Sequence, residues 1–215
     1  MSAGETADRS KVSGVKHKLV LEVPGGARRV LLHTCCAPCS SAIIEIMLRQ
    51  GITPTVFYSN SNIFPLEEYL HRKDECTRYA QSLGLEIVDD DYGHEDWRSC
   101  AAHGLENEPE RGARCLACFK YRLLRAARYA SQHGYTVLTT TLASSRWKDL
   151  AQVDEAGRWA CDAVNASLDG GVPVTWWGQN WRKGGLQDRR NQLIRELNFY
   201  NQQYCGCEYS FRDKK

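Results

Sequence analysis

The apolar run Val30-Leu31-Leu32 leads within three residues into Cys35-Cys36-Ala37-Pro38-Cys39, and this junction constrains the fold more than any other stretch. Ala27 to Thr34 has the pattern of a strand buried on both faces. Pro38 suits the first turn of a helix, and Ser40 and Ser41 can cap a helix over Ala42 to Gln50 that stops at Gly51. A buried strand that turns at once into a helix opens a βαβ unit, and the same alternation recurs along the chain.

Thr53 to Tyr58 predicts a second strand, followed by the polar loop Ser59 to Asn62. Leu66 to Leu83 predicts a helix ended by Gly84, and Leu85 to Val88 a third strand. His94 to His103 and Cys115 to His133 predict helices, with a loop over Asn107 to Gly112. Tyr135 to Leu138 forms the expected fourth strand, Leu150 to Asn165 a helix, Pro173 to Trp177 a fifth strand and Asp188 to about Gln203 a last helix. The implied architecture is α/β, a mostly parallel open sheet flanked by helices. Such sheets take ligands beyond the carboxyl ends of their strands. The cysteines, Ser59–Asn62, Thr139–Lys148 and Gln179–Gly185 all fall at that edge and predict one composite site.

Three thiols in five residues are answered far along the chain by Cys115-x-x-Cys118 and Cys205-Gly206-Cys207. The chain has ten cysteines, and Met1 to Lys18 is polar with no apolar core of a secretory signal. A cytoplasmic protein is therefore expected, where thiols stay reduced and act as ligands or catalysts rather than as a disulfide framework. Thiolates select zinc, copper(I) or iron–sulfur clusters. The spacings match neither a ferredoxin run nor a zinc ribbon, so the site must be assembled by the complete fold. A four-iron cluster takes four thiolates. Cys35, Cys36, Cys115 and Cys118 make the better set because both pairs stand at turns into helices, where the helix dipole lowers a thiol pKa. Cys39, Cys205 and Cys207 are left for a second metal or, in the Cys-Gly-Cys pair, a redox dithiol. Cys76, Cys100 and Cys161 stand alone in helical stretches and read as buried small hydrophobes.

Net charge is only +2, so any nucleic-acid contact must rest on local patches. Arg122, Arg125 and Arg128, with Arg111, Arg114 and Lys120 nearby, read equally as a solvated helix face. Arg182, Lys183, Arg189 and Arg190 beside Trp176, Trp177 and Trp181 read as a place where a nucleotide is held by stacking and charge. His33 is expected to be a satisfied core histidine, and Thr139–Thr141 could line a polar pocket. The chain lacks Gly-rich phosphate loops, so NAD, flavin and ATP are not expected. No apolar run reaches the roughly 20 residues of a membrane span. Met1 to about Ser13 is expected to be a disordered tail, and residues 14–215 one domain.

Five separated motifs now agree in order: His33-Thr-Cys-Cys-Ala-Pro-Cys39, Tyr58-x-Asn-x-Asn-Ile63, Arg114-Cys-x-x-Cys118, Thr139-Thr-Thr-Leu142 with Ser145 and Lys148, and Tyr204-Cys-Gly-Cys207. Together they resemble the cobalamin-independent epoxyqueuosine reductases over about residues 28–211. The resemblance implies an adenine-nucleotide alpha hydrolase-like (Rossmann-like) fold, a 4Fe-4S cluster and a nearby mononuclear iron. It implies two-electron reduction of the epoxide of epoxyqueuosine in tRNA to the alkene of queuosine, with an electron donor protein as a further partner. Lys148 or Arg182 would steady the developing oxyanion. The chain departs from the family pattern at Asn180, where an acid is usual, and at Asn201 within Tyr200-Asn201-Gln202. Some members carry Asp in place of Cys39. Two other readings of the thiols are a zinc-stabilised RNA-binding module and a cytosolic dithiol–disulfide oxidoreductase.

Overall fold

The computed structural model describes residues 19–210, so the expected tail over Met1 to Ser13 lies outside the described residues. The strands are β1 (Arg29–Thr34), β2 (Thr53–Tyr58), β3 (Ile87–Asp89), β4 (Val137–Thr140) and β5 (Thr175–Trp176). The helices are α1 (Ala37–Arg49), α2 (Leu66–Ser82), α3 (His94–Trp97), α4 (Ala113–Gln132), α5 (Leu150–Ala166) and α6 (Leu186–Glu196). The strands pair in the order β3-β2-β1-β4-β5, and every pair is parallel. This is the expected Rossmann-like α/β sheet.

β1 lies at the centre, and Val30, Leu31 and Leu32 are fully buried. That is why its sequence is a continuous apolar run rather than an alternating one. The chain leaves β1 first toward β2 and β3, then returns on the other side through β4 and β5. The crevice at the carboxyl ends of β1 and β4 is the topological switch point, where open sheets of this kind bind ligands.

Helix α1 begins at Ala37 with extended Cys36 as its cap residue, five residues before the expected start. Ser40 and Ser41 therefore do not cap it. The Ser40 hydroxyl donates back to the carbonyls of Cys36 and Ala37, and the Ser41 hydroxyl to that of Pro38. Pro38 sits in the first turn, as expected. The segment after α3 continues as a wide helical turn over Arg98–Ala102.

Helix α6 ends at Glu196 rather than near Gln203, because Asn198 takes a left-handed conformation that stops it. It docks on α1 through a buried ion pair in which Arg189 Nε donates to Glu45 Oε2 at 2.9 Å. Arg189 is thus no part of a surface patch. Trp177 and Trp181 are likewise core residues, 5% and 0% exposed, so no nucleotide stacks on them. α5 closes against β5 at Gly157, where a Cβ would overlap the Trp176 indole. Among the described residues no helix is long and apolar enough to cross a membrane.

Candidate active site

The turn from β1 into α1 holds the first thiol group. The Sγ atoms of Cys35, Cys36 and Cys39 all lie within 4.8 Å of one another. β4 meets them at the switch point. The Cys35 amide donates to Thr141 Oγ1 at 3.1 Å, and that hydroxyl lies 3.3 Å from Cys35 Sγ. Thr139 and Thr140 face other partners, the Trp177 carbonyl and His33 Nδ1, so only Thr141 of the triplet touches a site thiol. Hydrogen bonds from Cys36 and Cys39 hold Cys35 well below the usual thiol range. The same bonds, with burial, push Cys36 well up. Cys39, bonded chiefly to Cys35, rises to about 11. Within the triplet, Cys35 is the thiol that ionises first.

The second group surrounds a cavity lined by Cys115, Cys118, Cys205 and Cys207 together with Lys148. Cys115 and Cys118 come from the start of α4, as the sequence implied. Their acidity is opposite to expectation. Burial pushes Cys115 up to about 11, outweighing the Arg111 N–H that points at its sulfur from 3.3 Å. Burial also raises Cys118, and lifts Cys207 to about 12.

Lys148 joins the two groups. Its Nζ lies 3.7 Å from Cys205 Sγ. Burial alone would lower its pKa, but Cys205, then Cys35 and Cys39, raise it above the ordinary ammonium value. Arg182 does not reach the cavity with its Nη2. It donates to the carbonyls of Ser145 at 2.6 Å and Lys148 at 2.7 Å, and so fixes the loop that carries Lys148.

The closing segment reaches back across the chain. Phe64 N donates to the Gly206 carbonyl at 2.9 Å, and Ile63 pairs with Cys207 as an antiparallel bridge. Buried Arg72, ion-paired to Glu68, donates to the carbonyls of Cys205 and Tyr204 at 3.3 Å each. Tyr204 Oη donates to the Phe64 carbonyl at 2.7 Å. Gln202 Nε2 lies 3.1 Å from Cys36 Sγ, tying this segment to the first thiol group. The opening triplet and the closing pair therefore converge.

Two arginines expected on a solvated face are buried. Arg122 donates to the Ser59 carbonyl at 2.9 Å and to Asn60 Oδ1, while Asn60 Nδ2 donates to the Thr34 carbonyl. Arg114 Nη1 donates to the carbonyls of Leu105, Glu106 and Glu108. Arg125 pairs with Asp90. Asn62 thus lines the cavity, and Asn60 stands behind it, holding the lining residue Arg122. His33 is the satisfied core histidine expected, bonded to Thr140 Oγ1 at 2.7 Å and to the Ser59 carbonyl at 3.1 Å. Burial and then Arg122 lower its pKa to about 3, so it is neutral. Cys76 and Cys161 are buried as expected, but Cys100 is exposed. Arg72, Gln202 and the exposed Trp147 were not found from sequence. Arg72 and Gln202 have partners too distant in the chain to be read, and Trp147 gave no local signal beyond its type.

The description Epoxyqueuosine reductase QueH belongs to the family model that matches residues 30–213. The protein of that name from Histophilus somni is 44% identical over 193 residues, covering 90% of this chain and 76% of the relative. The Haemophilus influenzae protein shows the same figures, 44% over 193 residues. The protein from Acinetobacter baylyi is 40% identical over 198 residues, 92% of this chain and 87% of the relative. With its motifs in order and its seven thiols gathered at the switch point, the chain belongs to the epoxyqueuosine reductase QueH family and is an oxidoreductase of that type.

Proposed function

We propose that the chain reduces the epoxide of epoxyqueuosine in tRNA to the alkene of queuosine, in the cytoplasm. Both C–O bonds break, a C=C bond forms, and the oxygen leaves as water after taking two protons. Two electrons enter from a donor protein outside this chain. The observation that carries the reading is the convergence of seven thiols from three chain segments at the carboxyl edge of the sheet.

A soft donor set of this size fits iron–sulfur ligation better than one closed zinc site, which needs four ligands. Cys35, Cys36, Cys115 and Cys118 would hold a 4Fe-4S cluster. Cys39, Cys205 and Cys207 would hold a mononuclear iron or, in the last pair, cycle as a dithiol. This division takes two ligands from each thiol group for the cluster, although Cys39 lies with Cys35 and Cys36, and Cys205 and Cys207 line the cavity with Cys115 and Cys118. Such centres supply electrons singly and a Lewis acid for the epoxide oxygen.

The chain's own residues do the rest. The Lys148 ammonium, kept protonated by the thiols around it, would steady the negative charge that develops on the departing oxygen. Arg182 acts through Lys148, holding its carbonyl rather than touching the oxygen. The test is anaerobic reconstitution followed by reaction with RNA carrying epoxyqueuosine and a low-potential reductant, read by nucleoside mass spectrometry. Conversion to queuosine is expected, with about four irons and four sulfides per chain plus roughly one further iron. Stoichiometric zinc without iron, or no conversion by the metal-loaded protein, overturns the reading.

A further inference from the structure

Trp147 is the most exposed of the six tryptophans, 69% accessible, yet it lines the mouth of the cavity that Lys148 and Cys205 share. The Arg146 guanidinium lies 5.3 Å from its ring centroid. An indole left so far in water beside a reaction site adds little burial to the fold of the chain itself. The loop that carries it is nevertheless firmly held. Arg111 Nε donates to the Trp147 carbonyl at 2.9 Å and its Nη2 reaches the Arg146 carbonyl at 3.5 Å. Trp147 N donates to Ser145 Oγ, and Gln152 Nε2 donates to the Arg111 carbonyl at 2.8 Å. Hydrogen bonds to the backbone thus fix the loop while the Arg146–Trp147 pair stands exposed at its tip.

We propose that Arg146 and Trp147 form a stacking platform for the nucleobase next to the reacting nucleoside in the RNA loop. This rests on the tRNA reading above and adds the residue that grips the neighbouring base. Single-stranded RNA is recognised by unstacked bases laid on aromatic and guanidinium planes, with nearby cations tracking phosphate. Trp147 offers the ring, Arg146 the guanidinium, and Lys148, the next residue, lines the same cavity, so the adjoining nucleoside would reach it. Such a platform holds any base, so it orients the loop without reading its sequence.

The test uses a fluorescently labelled anticodon stem–loop RNA and binding anisotropy at low salt, with the protein as purified. Trp147→Ala is expected to bind roughly 5- to 150-fold more weakly, the range found for loss of one base–aromatic stack. Trp147→Phe should recover most of the affinity. An abasic site at one of the two nucleotides flanking the wobble position should weaken binding to the unaltered protein and leave Trp147→Ala binding unchanged. Equal affinity of Trp147→Ala and the unaltered protein overturns the platform while leaving the tRNA reading intact. Failure of the unaltered protein to bind the RNA overturns both. An unchanged circular dichroism spectrum in Trp147→Ala confirms that folding is not the cause.

Discussion

Replacing Gly206 with alanine loads the closing segment at a single point. Gly206 has φ +101°, and a Cβ there would lie 2.9 Å from Ile63 Cγ1 and 3.0 Å from Arg72 Nη1. A side chain at positive φ costs about 1–2 kcal/mol, and forcing a methyl into a filled space about 1–3 kcal/mol. Neither neighbour yields easily. Ile63 is buried, and Arg72 is tied to Glu68 at 2.6 Å. The load of about 2–5 kcal/mol equals the net worth of two or more hydrogen bonds. The segment is held by those from Phe64 N, Tyr204 Oη and Arg72. The segment should therefore lift while the sheet stays folded, a local opening of low free energy. In the metal-free protein the Phe64 amide, whose acceptor is the Gly206 carbonyl, should exchange with deuterium at least about 30-fold faster, since each 1.4 kcal/mol is tenfold. Iron bound on reconstitution should fall with it. An unchanged Phe64 exchange rate refutes the strain argument. Faster exchange throughout the sheet would show instead that the core carries the load.

Glu45→Met strands buried Arg189 with Gln192 and the half-exposed Glu196 and should cost about 3–5 kcal/mol in urea unfolding, most of it recovered in Glu45→Met/Arg189→Leu. An unchanged midpoint in the single variant argues against the pair. Gly157→Ala gains helix propensity worth about 1 kcal/mol, but the overlap with Trp176 should outweigh it and lower Tm. A higher Tm sinks that account. In native iodoacetamide labelling read by peptide mass spectrometry, exposed Cys100 should react before buried Cys161. Burial pushes Cys161 up to about 12, so its rate should rise about tenfold per pH unit between pH 8 and 10 as thiolate forms; a flat profile refutes this. Lys148→Met should lower turnover by about 10²- to 10³-fold with iron content preserved, whereas full activity would remove the lysine from charge stabilisation.

The sheet was legible because its central strands are buried on both faces and must be written in apolar residues. β1 and β2 show no polar alternation, and the helices between them end at glycines. The positions of Cys35, Cys36 and Cys39 after β1 and of Cys115 and Cys118 at the start of α4 were legible from the same pattern, whereas Cys205 and Cys207 lie in an irregular segment that no periodicity places. The failures share a different cause. Arg189 was counted as a surface cation because its partner Glu45 lies 144 residues away. Arg122 was read as solvated because its acceptors are a backbone carbonyl and an amide on a loop 62 to 63 residues distant. Charge says what a side chain must find, and sequence does not say where it finds it. The tryptophans followed similar logic. A cluster of three tryptophans looked like a platform, but two of them fill the core, and the exposed indole stands alone after Arg146.

The cations explain how one small region tolerates so many groups that can become anions. Cys36, Cys39, Cys115, Cys118 and Cys207 all resist ionisation, whereas Cys35 is favoured toward the thiolate. Around them stand Arg122, Arg114 and Lys148. Both arginines are anchored by neutral acceptors, Arg122 by Ser59 and Asn60, and Arg114 by three carbonyls. Their positions do not depend on the charge they face. Negative charge that develops at the thiols meets positive charge already in place, without reorganisation, and this is where electrostatic stabilisation is strongest. Lys148 differs, because its ammonium is held by the thiols themselves. Of the three it alone can follow a change in their charge, which makes it the cation suited to steady an anionic oxygen beside the thiols while the arginines hold the field constant.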